Sequence, residues 1–210
     1  GIKIVGSHID SPRLDLKANP VHEQDGIVYF RTHYYGGIKK YQWTCIPLAL
    51  IGVVYTKDGK KVDINIGLKD DDPIFYVSDL LIHMAQDQMK KTLAEGITGE
   101  QLQAIAGTNA EEDLKPKEVF MKMLKDTYGI EEEDFAAAEL ELVPATKSRD
   151  VGFDRSLIAS YGQDDRVCSY ANLEAILQAK PGVKTQAALL TDKEEIGSYG
   201  NTGMEASYFV

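Results

Sequence analysis

The sequence predicts an α/β domain interrupted by a β-rich insertion, and three observations predict it. A short β-branched run, "IKIVG" at residues 2–6, opens the chain as a strand and ends in a polar turn. The last stretch, 146–210, reads as loop, helix, strand and loop, the rhythm of an α/β layer fold. Between them, 18–145 is rich in hairpin signals and reads as an insertion between two pieces of one domain. The expected organisation is therefore 1–17 and 146–210 for the α/β domain and 18–145 for the insertion.

Each element has a local justification. "GIVYFRTHYYGG" is a strand that closes on a glycine pair. "IPLALIGVVYTKDGKKVDINIG" is a hairpin whose turn falls at Asp58-Gly59. "SDLLIHMAQDQMKKTLAEG" spaces Leu80, Leu81, Met84 and Met89 as a helix would, with Ser78 as N-cap and Gly96 as stop. "PKEVFMKMLKDTYG" is a helix opened by Pro116 and stopped by Gly129, with Phe120, Met123 and Leu124 on one face. "EEEDF" begins a short helical turn, and "ELELV" alternates as a strand. "DDRVCSYANLEAILQAKPG" places Val167, Tyr170, Leu173, Ile176 and Leu177 at helical spacing before Pro181-Gly182, and "QAALLT" is a short buried strand.

Composition narrows the partners. The chain has 210 residues, 43% of them hydrophobic, enough for a sizeable core. Its formal net charge is -10, which argues against nucleic acid or an anionic membrane as partner and leaves cations as ligands for local acidity. No apolar run approaches the about 18 residues of a membrane span, and no basic-then-apolar leader opens the chain. The expected compartment is the cytoplasm. Cys45 and Cys168 match no metal or redox spacing and read as buried reduced thiols. The chain opens on a strand already under way, without an initiator Met, and reads as a segment of a longer polypeptide.

Three clusters carry potential chemistry: His8 with Asp10, Asp164 with Asp165, and Glu194 with Glu195. All fall at strand ends or in the loops that follow, where α/β sheets build their sites. Each has a plain structural alternative. His8 could be a hydrogen-bonded strand-end residue, Asp10 a turn residue, Asp164 or Asp165 a helix cap, and the glutamates a solvated loop. Their combination fits a metal centre better. In a His-x-Asp unit the aspartate fixes the imidazole tautomer. One aspartate can bridge two ions about 3.5–4 Å apart. Of two adjacent glutamates, one can bind metal while the other stays free to take a proton.

The segments "GSHIDSPRLDLK", "YYGGIKKYQW", "LLIHMAQDQM", "GQDDRVCSYANLEAIL" and "TDKEEIGS" occur in the order found in the aspartyl aminopeptidase family, which the chain resembles from His8 to Ser198. "HIDS" and "DKEEIGS" alone would also fit the related deblocking or glutamyl-type tetrahedral aminopeptidases. The resemblance implies a three-layer α/β/α zinc-exopeptidase domain with an inserted dimerisation domain, dimers assembling into a dodecamer, and two zinc ions per complete site. It implies that His8, Asp164 and Glu195 bind metal, with Asp164 bridging, Asp10 orienting His8 and Asp165 in support. Glu194 would be the general base. His83 would reach a neighbouring subunit's active site, or else lie on a helix surface beside Asp79 or Asp87. Peptides with an acidic N-terminal residue would be the substrates. One His among oxygen ligands would also accept cobalt or manganese. "WTCIPL" departs from the family's usual run at that strand, which lacks here its acidic and basic residues. The family's remaining ligands, an Asp and a His, lie beyond Val210, so this segment alone is expected to bind metal weakly and to be inactive. The alternative of another class is a non-catalytic assembly module.

Overall fold

The computed structural model describes residues 1–207. The chain runs β1 (Ile2–His8), β2 (Arg13–Gln24), β3 (Ile27–Tyr35), β4 (Pro47–Tyr55), β5 (Lys61–Ile66), β6 (Phe75–Tyr76) and β7 (Ala104–Gly107). It continues through α1 (Pro116–Tyr128), β8 (Ala138–Pro144), β9 (Arg149–Val151), β10 (Leu157–Ala159), α2 (Gln163–Gln178) and β11 (Thr185–Thr191), with short 3-10 turns between. It forms two compact units. One holds Gly1–Pro12, Tyr35–Gly37 and the chain from Ser148 onward; the other holds Arg13–Tyr34 and Ile38–Lys147.

In the first unit, β1 and β11 pair in parallel, from Ile2 opposite Thr185 to His8 opposite Thr191. A parallel pair needs a crossover rather than a hairpin. Helix α2 packs on both strands. The register brings the carboxyl ends of both strands to one edge, and the Ile9 amide extends it by donating to the Thr191 carbonyl (2.8 Å). The first turn of α2 is irregular: Asp164 and Asp165 have non-helical dihedrals and are joined by a cis peptide bond. The helical spacing of Val167, Tyr170, Leu173 and Leu177 is real, yet these side chains are exposed, and Ser169 is the residue that α2 buries.

The second unit is a seven-stranded sheet in the order β5-β4-β6-β7-β3-β2-β8, closed into a barrel by pairing of β4 with β8. Strand β3 shows why the sequence folds this way. Val28, Phe30 and Thr32 alternate inward and are buried. Phe30 meets the rings of Phe75 and Phe120, with centroids 5.5 and 5.7 Å away. Burying such a ring contributes about 1.5–3 kcal/mol. Helix α1 begins at Pro116 and ends at Gly129 in the left-handed conformation, as expected, and buries Phe120 and Leu124, whereas Met123, expected on the same face, is exposed. The hairpin at Asp58-Gly59 forms between β4 and β5.

Barrel closure rests on Gly52, in the middle of β4, at φ +132. It faces Leu140 of β8, and a Cβ there would lie 2.0 Å from the Glu139 carbonyl oxygen. Gly52→Ala is expected to destabilise the protein by about 1–3 kcal/mol. Chemical denaturation checks this, and an unchanged midpoint would count against the close approach.

The helix expected over 78–96 does not form. That segment is a series of turns with a short 3-10 element, Gln88–Lys90. Leu80, Leu81, Ile82, Met84 and Met89 are all at least half exposed. Helical stability in proteins comes mostly from packing an apolar face, and these side chains stay exposed among the described residues. Among the described residues, no helix is long and apolar enough to cross a membrane.

Candidate metal centre

Parallel pairing of β1 with β11 decides where the chemistry sits. His8 is the last residue of β1, and Glu194 and Glu195 follow the end of β11. Helix α2 contributes Asp164 and Asp165 from its irregular first turn. All belong to the α/β unit.

The two nitrogens of the His8 ring face different partners. Nδ1 lies 3.2 Å from Asp10 Oδ1 and 3.1 Å from the Asp10 carbonyl oxygen. Nε2 lies 3.6 Å from Asp164 Oδ1, 3.8 Å from Asp165 Oδ2 and 3.6 Å from Glu194 Oε2. With Asp10 accepting from Nδ1–H, the Nε2 lone pair points into the carboxylates, the tautomer a metal ligand needs. The Asp10 side chain is wholly buried. It accepts the Tyr35 hydroxyl (2.6 Å) and the amides of Glu194 (3.3 Å) and Glu195 (3.2 Å).

The electrostatics follow from these contacts. Burial alone would raise the Asp10 carboxyl, but the Tyr35 hydroxyl and the Glu195 and Glu194 amides outweigh it and hold it below the usual carboxylate range. Burial would lower His8, but the Asp10 carbonyl and the charges of Asp10, Glu194 and Asp165 outweigh that and raise it. Burial, and then the Asp10 charge, push the Glu195 carboxyl up. Among the described residues no lysine or arginine pairs with Asp164, Asp165 or Glu194. Gathered carboxylates without a cation repel one another, and a divalent ion relieves that repulsion.

The donor set fits zinc. One ligand atom from each of His8, Asp164 and Asp165 lies within 4.8 Å of the others. Separations of 3.6 and 3.8 Å suit pairs of ligands each about 2.0–2.2 Å from one ion.

A second set of bonds ties these elements together. The Asn172 amide donates to Ser7 Oγ (2.8 Å), the hydroxyls of Ser7 and Ser169 share a bond (3.0 Å), and Ser169 donates to the His8 carbonyl (2.8 Å). Ser11 donates to the Asp164 carbonyl (3.0 Å), and Tyr161 to that of Pro12 (2.8 Å). Helix α2 is thereby fixed to the end of β1.

The structure brings His8, Asp10, Asp164 and Glu194 together, as the sequence motifs imply. Asp165, expected in support, lies nearly as close to His8 Nε2 as Asp164 does. The Glu195 backbone joins through Asp10, and its carboxyl lies against Gly36, outside the tight group of His8, Asp164 and Asp165. His83 lies in the barrel unit, exposed in a turn. The helix-surface alternative for it fails, because no helix forms there; Asp79 bonds to Gln88 and Asp87 to Lys90. Both cysteines are exposed, contrary to the buried thiols expected. The neighbouring Asp165 carboxylate raises the Cys168 thiol.

A histidine and carboxylates gathered at the strand ends of an α/β unit form an arrangement able to hold a metal ion. The family model described as aminopeptidase I zinc metalloprotease (M18) matches residues 1–210, and the chain belongs to that family. It is 52% identical over 213 residues to a probable M18 family aminopeptidase 1 of Clostridium acetobutylicum, covering 100% of this chain and 46% of the relative. A relative with the same description from Thermotoga maritima is 49% identical, with 100% and 47% covered. The crystal structure of the M18 aminopeptidase from Thermotoga maritima superposes with a TM-score of 0.94 at 49% identity, covering 100% of this chain and 46% of that one. Aminopeptidase I from Clostridium acetobutylicum gives 0.92 at 50% identity, covering 100% and 47%. A dodecamer of the Saccharomyces cerevisiae protein mApe1 shares the fold, with a TM-score of 0.66 at 19% identity over 97% of this chain and 46% of that one. The chain spans about half the length of the relatives it matches. The α/β zinc-exopeptidase fold class read from the sequence holds.

Proposed function

We propose that the chain is part of a dinuclear zinc aminopeptidase that releases N-terminal, preferably acidic, residues from peptides. The observation that carries this reading is His8: Asp10 holds Nδ1, and Asp164, Asp165 and Glu194 surround Nε2 at 3.6 to 3.8 Å. Membership of a zinc metalloprotease family supports it. His8, Asp164 and Glu195 would hold the metal, with Asp165 in support. Zinc, when bound, polarises the scissile carbonyl and lowers the pKa of water. Glu194, more than half exposed and 3.6 Å from His8 Nε2, takes the proton of the attacking water and passes it to the leaving amine. Asp10 keeps the His8 ring in one tautomer and one orientation throughout.

The family's remaining Asp and His ligands are proposed to lie in the other half of the parent. The subunits are proposed to assemble through the barrel unit. The exposed apolar run Leu80, Leu81, Ile82 and Met84 supports this, as does the dodecamer formed by a protein of the same fold. His83, within that run, is proposed to enter a neighbouring subunit's site.

The test is turnover of Asp-, Glu- and Leu-amide substrates by the full-length parent with zinc, cobalt or manganese. The acidic substrates are expected to give the highest kcat/KM. Equal or better cleavage of the Leu substrate would transfer the protein to the deblocking type, and no cleavage of any would favour an assembly module.

A further inference from the structure

The Tyr-Gly-Gly segment at 35–37 has so far served only as a mark of resemblance, yet these residues cluster with the α/β unit while the strand leading to them belongs to the barrel. The alternation of β3 breaks at its end. After Val28, Phe30 and Thr32, the next inward position would be Tyr34, but Tyr34 is exposed and Tyr35 is buried. That slip takes the Tyr35 ring away from the barrel core.

Tyr35 donates its hydroxyl to Asp10 Oδ2 at 2.6 Å, the length of a charge-assisted O–H···O⁻ bond. The other oxygen of the same carboxylate faces His8 Nδ1. Lys193, next to the paired glutamates, lies with Nζ 5.5 Å from the Tyr35 ring centroid. Gly36 follows at φ +75, and a Cβ on it would lie 2.9 Å from Glu195 Oε2 and 3.0 Å from Glu195 Cβ. The one dipeptide therefore touches both the residue that orients His8 and the second glutamate.

We infer that Tyr35 and Gly36 are positioning residues of the metal centre: the Tyr35 hydroxyl holds the Asp10 carboxylate against His8, and the bare Gly36 leaves the space that the Glu195 carboxylate occupies. This rests on the metal-centre reading above. Without the hydroxyl, Asp10 keeps its amide bonds but loses its short side-chain bond, and the His8 ring gains freedom. With a methyl at 36, the Glu195 side chain must swing aside, because its own Cβ as well as its oxygen is too close.

The experiment uses the full-length parent and its Tyr35→Phe, Gly36→Ala and Tyr34→Phe variants. Zinc affinity is measured by competition with a chromophoric chelator, and the visible spectrum is recorded with cobalt(II). Tyr35→Phe is expected to weaken zinc by about 10–100-fold, the usual cost of losing a partner behind a metal ligand. It should also alter the cobalt spectrum, and lower kcat at saturating metal with KM near that of the parent. Gly36→Ala, which leaves Tyr35 intact, should weaken zinc comparably and carries the test if Tyr35→Phe does not fold. Tyr34→Phe should match the parent. Parent-like affinity and spectrum in Tyr35→Phe or in Gly36→Ala would overturn the inference while leaving the metal centre standing. A parent that takes up no divalent metal would overturn the reading beneath it.

Discussion

Glu194→Gln in the full-length parent is expected to cut kcat by about 10²–10⁴-fold, the range for losing a general base, while metal content stays at the parent level. The substitution keeps the size of the side chain and removes its capacity to take a proton. It leaves the Glu194 amide free to go on donating to Asp10, so the buried anchor of the site is undisturbed. Initial rates and metal analysis on the same preparation check it. Loss of metal together with activity would make Glu194 a ligand instead. Retained turnover would remove it from the chemistry.

Asp164→Asn is expected to do the opposite in kind, removing the metal first and activity as a consequence. Its carboxylate is mostly exposed and 3.6 Å from His8 Nε2, and no lysine or arginine pairs with it among the described residues. An exposed carboxylate held only near a histidine has little role in stability. The expected result is a fall in zinc affinity of more than about 100-fold, above the cost of losing a supporting partner, with an unfolding midpoint of the metal-free protein close to the parent's. Titration against a chelator and a denaturation curve measure the two effects. Unchanged affinity would place the ligands elsewhere.

Much of the site was legible because its residues sit at local landmarks. His8 and the paired glutamates end strands, and Asp164 and Asp165 open a helix, positions that periodicity and breakers mark from the sequence. The hairpin at Asp58-Gly59 and the helix between Pro116 and Gly129 were legible for the same reason. The bonds that hold the site in shape were not. Ser169 reaches the His8 carbonyl across 161 residues and Tyr35 reaches Asp10 across 25, so no local pattern reports them. The helix expected over 78–96 failed on a related ground. An apolar period states that a face would be buried, and says nothing of whether this chain supplies what covers it. Cys168 was read as buried because its spacing matches no metal or redox motif, but it lies on an exposed face of α2.

The most direct measurement is anomalous scattering at the zinc edge from crystals of the zinc-loaded full-length parent. The expected result is a peak bonded to His8 Nε2 and the Asp164 carboxylate, with a second peak sharing Asp164. Zinc-loaded crystals with no peak between His8 and Asp164, or with the metal held elsewhere, would contradict it.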